Sequence, residues 1–204
     1  MNELEFAALM VSRVCHDLVS PVGAVVNGLE VLEDERDAAM RADALKLVAS
    51  SAEQAAARLQ FARLAFGAAG SAGAELDLSE VGRVVTGVTR GSKVDLLWQA
   101  AHTNWPKDWA KLLMNAASLA IDSLPRGGRV VVETAPHAAP GFRIRATGQN
   151  ARVLEEVEKA MRGQPVMPLD GRSIQAFLTH RLAGSLNVGL TLTVGAGYVE
   201  FAAG

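Results

Sequence analysis

The chain has 204 residues, half of them hydrophobic, yet only ten are aromatic while 35 are alanine, so its apolar content is built from small side chains. Twenty basic against 22 acidic residues leave a formal net charge of −2, which excludes a broad positive surface for non-specific nucleic-acid binding. A single cysteine, Cys15, excludes an internal disulfide framework, and four scattered histidines lack zinc-ligand spacing.

At the N-terminus Glu3 and Glu5 do not fit a secretory signal, and the uncharged apolar stretches are short for a spanning helix, so a cytoplasmic protein without membrane association is expected. Leu4, Val11, Leu18, Val25 and Leu32 then recur every seven residues, which predicts one long amphipathic helix over roughly residues 3 to 33. Cys15 falls beside the apolar seam and is expected to be a small buried hydrophobe. The charged segment 33–37 breaks the stripe, and Leu45, Val48, Ala52, Ala55, Leu59, Ala62 and Phe66 begin another. Two antiparallel helices follow, residues 1–67 in all, and since a lone hairpin cannot enclose its own apolar stripe, a homodimeric four-helix bundle is expected.

Residues 68–75, rich in glycine and alanine, read as a linker to a second domain over 76–204. There Ser79 can cap a helix to about Arg90, a strand covers 93–98, and Pro106 opens a helix to about Leu124. Strands at 129–134 and 141–147, helices at about 150–162 and 172–184, and strands at 186–194 and 198–203 complete the pattern. The fold class is α+β, a helical hairpin followed by an α/β sandwich whose helices cover one face of a mixed sheet. Trp98, Trp105 and Trp109 are read as core and helix-entry packing rather than as a base-stacking platform.

On the first helix His16 falls on the solvent-facing side, where it has no packing purpose, and Pro21 five residues later costs a mid-helix hydrogen bond, about 3 kcal/mol. An exposed imidazole is a competent nucleophile near neutral pH. Its helical stripe holds Ser12, Arg13, Ser20, Gly23, Ala24 and Asn27, small or polar residues that would admit a partner's helix. Antiparallel counting sets Arg58 beside His16 and Phe61 one turn further; Phe61 is either an outward interface anchor or core packing beneath the second domain.

The hexapeptide His16-Asp17-Leu18-Val19-Ser20-Pro21 resembles the H-box of dimeric histidine kinases, and the order of helix, turn, helix, linker and α/β domain is similar to theirs. The resemblance implies that His16 is phosphorylated on a ring nitrogen, that Asp17 orients the imidazole or handles its proton, and that Ser20 occupies a position bearing on phosphatase chemistry. It also implies a Bergerat-type, GHKL-like second domain, but the nucleotide motifs are degenerate. Asn115 matches the magnesium-binding asparagine of the N-box, yet Lys111 stands where an acidic residue is expected. Thr147-Gly148-Gln149-Asn150 replaces the Asp-x-Gly-x-Gly box, and 168–175 holds one glycine where a glycine-rich lid belongs. The simpler reading of Asn115 is a polar residue in an alanine-rich helix, left over or hydrogen-bonding a neighbouring element.

A kinase-like hairpin with a degenerate ATP domain is similar to the ChpT-type histidine phosphotransferases of alphaproteobacterial phosphorelays. That resemblance implies a shuttle: the receiver aspartate of a hybrid kinase donates to His16, which passes the phosphoryl group to response regulators of the CtrA or CpdR kind. No cofactor of its own and no ATP binding are expected, with magnesium supplied by the receiver. An ATP-dependent kinase with an atypical site and a non-catalytic, receiver-binding dimeric adaptor are the alternatives.

Overall fold

The computed structural model describes residues 2–67, 74–134, 139–164, 166, 169–171 and 173–204. Most of the expected linker lies outside the described residues, as does His137.

Helix α1 (Glu3–Asp34) opens on a reciprocal cap: the Asn2 side chain accepts from the Glu5 N–H at 2.8 Å, and the Glu5 carboxylate accepts from the Asn2 N–H at 2.9 Å. Helix α2 (Ala38–Phe66) is capped by Asp37, which accepts from the Ala39 and Met40 N–H groups. In the turn between them the Glu35 carboxylate accepts from the backbone of Asp37 and Arg36, and these bonds hold its pKa below the usual carboxylate range. Gly28 lets the two helices approach closely: a Cβ there would meet Val48 Cγ2 at 2.6 Å.

The hairpin leaves much of its apolar surface open. Val11, Cys15, Val22, Val26 and Leu29 of α1 are exposed, as are Leu45 and Leu59 of α2. Cys15 is therefore not buried within its own chain, because the stripe it belongs to faces away from α2. By length and composition α1 is apolar enough to cross a membrane, contrary to the sequence expectation, but it packs on α2 and on the second body.

The second body contains β1 (Glu75–Asp77), α3 (Leu78–Thr89), β2 (Val94–Gln99), β3 (Asn104–Pro106), α4 (Lys107–Asp122), β4 (Gly128–Thr134), β5 (Phe142–Thr147), α5 (Glu155–Met161), α6 (Ser173–Ser185), β6 (Leu190–Gly195) and β7 (Tyr198–Ala203). The main sheet runs β2-β4-β5-β7-β6, with β2 and β4 parallel and the other neighbours antiparallel. Alternation aims Val130, Val132, Ile144, Ala146, Val199 and Phe201 at the helices. Arg143 and Arg145 point the other way and flank Glu200 at 3.9 and 3.6 Å. Helix α4 is the centre of the core, buried at every residue from Ala110 to Ala120. Trp105 is buried in this core with Trp109 edge-on at 6.0 Å, and Trp98 packs against it.

Three expectations change. The short antiparallel pair β1–β3 has no periodic signal in six residues and was not anticipated. Asp77, not Ser79, caps α3, accepting from the Ser79 N–H at 2.8 Å. Helix α5 is only seven residues long, because Ala151 and Arg152 donate to Gly148 and Ser123 carbonyls instead of starting a helix.

Two contacts fasten α1 to the second body. Phe6 packs on Phe177 of α6 with ring centroids 6.2 Å apart, and the Arg181 guanidinium lies over both rings. One helical turn and more further along, Arg13 reaches across the boundary.

Candidate functional site

His16 lies on the mid-section of α1 with its side chain 71% exposed. Its Nδ1 is 3.4 Å from Asp17 Oδ1. A neutral ring that donates to this carboxylate carries its proton on Nδ1 and its lone pair on Nε2. Pro21 is buried inside the same helix and has no N–H for the Asp17 carbonyl, so the helical ladder is interrupted beside His16.

Asp17 is held from three sides. Its Oδ2 accepts from Arg13 Nε at 3.1 Å, and its Oδ1 faces both His16 and Arg58 Nη1, the latter at 4.0 Å. Arg13 uses the rest of its fork on the second body, donating from Nη2 to Asp122 Oδ2 at 3.2 Å and from Nη1 to the Gly171 carbonyl at 3.3 Å. The Arg58 Nε is buried and, among the described residues, has no hydrogen-bond partner.

These groups rim a cleft of about 630 Å³ between the hairpin and the second body, with Phe61, Phe66, Val94 and Leu119 among its lining and Lys93 and Arg152 at its polar margin. Asp122 remains 52% exposed through the mouth of the cleft, although protein atoms crowd it on the other sides. Loss of hydration raises its pKa, and the Arg13 guanidinium pulls it back down.

Of the expected partner-facing residues, Ser12, Ser20 and Asn27 are exposed and Gly23 and Ala24 half-buried. A Cβ added at Gly23 would meet only open space. Two residues leave that face. Arg13 is buried by its interdomain bonds. Phe61 is core, buried beneath the second body and edge-on to Phe66 at 5.9 Å. Asp122 was missed, although an acid in the last turn of a helix, against the macrodipole, is a signal that a cation must approach from elsewhere.

The residues that would make a nucleotide and magnesium site do not fit that task. Asn115 is fully buried, and its amide donates to the Ala65 carbonyl of α2 at 3.2 Å and to the Lys111 carbonyl at 2.9 Å, while its oxygen accepts from Gln175 of α6 at 3.4 Å. It ties three helices together. Lys111 is buried, 3.8 Å from Asp108, and loss of hydration lowers its pKa against the pull of that carboxylate. Gly148 serves close packing, since a Cβ there would meet the Gly127 carbonyl at 2.7 Å. Among the described residues no group of three or more His, Cys, Asp or Glu side chains could hold a metal ion.

A family model described as the histidine phosphotransferase C-terminal domain matches residues 78–197. The protein phosphotransferase ChpT of Brucella abortus (strain 2308) is 38% identical over 205 residues, spanning 100% of this chain and 97% of that protein. A solved bacterial phosphotransferase superposes with a TM-score of 0.89 at 35% identity, covering 100% of this chain and 98% of the other. The histidine kinase domain of the blue-light activated kinase of Erythrobacter litoralis shares the fold alone, with a TM-score of 0.50 at 14% identity over 98% of this chain and 92% of that one.

Proposed function

The chain belongs to the histidine phosphotransferase family and is a phosphorelay phosphotransferase, and from that premise we propose that His16 is the residue that carries the phosphoryl group. The observation that supports this most is the exposed imidazole whose Nδ1 faces Asp17.

In this reading the Nε2 lone pair attacks the phosphorus of an aspartyl phosphate on a receiver domain. An N–P bond forms, the P–O bond to the receiver carboxyl breaks, and the carboxylate leaves with the electron pair. The Nδ1 proton stays on the ring, and Asp17 stabilises the positive charge that develops there. The step reverses toward a second receiver, because acyl phosphate and phosphohistidine are both high-energy species. Positioning therefore carries the catalysis. The receivers would be those of a hybrid kinase and of response regulators of the CtrA or CpdR kind, docking on the face formed by Ser12, Ser20, Gly23, Ala24 and Asn27. They would bring the magnesium; the chain needs no ATP and no cofactor of its own, which fits the use of Asn115 in packing.

The same proposal includes a homodimer in the cytoplasm. Leu4 and Val11 of α1 are 80% and 62% exposed, and Leu45 and Leu59 of α2 are exposed as well. A second hairpin across a two-fold axis would cover both. Incubation with a phosphorylated receiver tests the centre: the wild-type chain should acquire acid-labile label and His16→Ala none, with unchanged thermal stability. Equal labelling of that variant overturns the assignment.

A further inference from the structure

We infer that Arg13 and Asp122 are positioning residues, through which the second body sets the geometry of the Asp17–His16 pair; this rests on the phosphohistidine reading above. An isolated Arg–Asp pair one turn apart on an exposed helix is worth only about 0.3–0.5 kcal/mol and leaves both side chains free to wander. Here the guanidinium has no such freedom. Two acceptors that are 109 and 158 residues away along the chain, Asp122 Oδ2 and the Gly171 carbonyl, hold Nη2 and Nη1. Because the fork is planar and rigid, those two bonds dictate where Nε points, and it points at Asp17 Oδ2, 3.1 Å away. Asp17 is thereby turned so that Oδ1 is the oxygen facing His16 Nδ1.

The far end of the relay reaches out of its own body. Asp122 is the last residue of α4, at the negative end of the helix dipole, and among the described residues its hydrogen-bond partner is on α1. Its carboxylate crosses the boundary to a residue one turn from the reactive histidine. The second body thus acts on phosphoryl transfer without any nucleotide, by holding a carboxylate still.

The experiment uses the full chain and four variants: Asp122→Asn, Arg13→Lys, Asp17→Asn, and Asp17→Asn combined with Asp122→Asn. Rates of phosphoryl acceptance from a phosphorylated receiver are measured together with the ¹⁵N shifts of the His16 ring, which report its tautomer in the unphosphorylated protein. Asp122→Asn should lower the rate by about tenfold and move the ring away from the Nδ1–H form. Arg13→Lys should behave similarly, since one ammonium cannot span the three acceptors. The double variant should be no slower than Asp17→Asn alone. Wild-type rates and ring shifts in Asp122→Asn, or losses that add in the double variant, overturn the relay and leave Arg13 and Asp122 as a docking pair. Failure of the phosphohistidine reading looks different: the wild-type chain takes no label, while the ring shifts still respond to Asp122→Asn.

Discussion

Helix α4 buries every residue from Ala110 to Ala120, whereas helix α1, twice its length, buries Arg13, Pro21 and Gly28. The second body closes a core on itself with a five-stranded sheet behind it. The hairpin has one internal interface and leaves its other apolar stripes to whatever covers them. The chemistry follows the same division. Asn115, Gln175 and Ser118 of the second body are used in packing, while His16 of the hairpin stays accessible. A phosphoryl carrier that must meet receiver after receiver needs its nucleophile on the open part.

The comparison can be broken most severely at the hairpin. If its stripe is open in one chain because a second chain covers it, Val11→Asp combined with Val22→Asp places four carboxylates in the dimer seam and should abolish assembly. Light scattering at micromolar concentration should then give one chain mass where the wild type gives two. A wild-type mass of one chain would remove the dimer from the proposal. Next in size is Asn115→Ala, which strands the Ala65 carbonyl and the Gln175 amide in the core and should cost about 2 kcal/mol in urea denaturation. A loss below about half a kcal/mol would mean that the second body is not held by this residue.

The smallest effect is expected at Lys111. Replacing a buried ammonium by an apolar chain of similar length, Lys111→Met, should be neutral or stabilising by up to about 1 kcal/mol. Burial lowers the folded-state pKa of Lys111 below the ordinary value of 10.5, so the unfolded chain binds more protons between those two values. Wild-type stability therefore gains as pH rises through that window, and the advantage of the Met variant should shrink there. Paired urea curves at the two ends of the window check the sign.

The hairpin was legible because its signal is local: seven-residue recurrence, a charged break, and a histidine on the wrong face for packing. His16 and Asp17 needed only their immediate neighbours. The burial of Arg13 was not legible, and the choice between the two readings of Phe61 stayed open, for one reason: what covers them comes from the second body, in the case of Arg13 from more than a hundred residues away. Helical counting sees which residues share a stripe and does not see a second body descending on it. Cys15 is exposed in the single chain, and the heptad pattern alone treats a seam with a second copy and a seam with α2 alike. Strands β1 and β3, three residues each, are too short to carry a period.

Asn115 also bears on what this position can become. A side chain that ties α2, α4 and α6 together cannot take up another task without first loosening the fold. An acidic residue introduced at position 111 would stand beside an amide already committed elsewhere. Building a cation site here would need several substitutions at once, each harmful alone, so the packing of the core works as a lock on its chemistry.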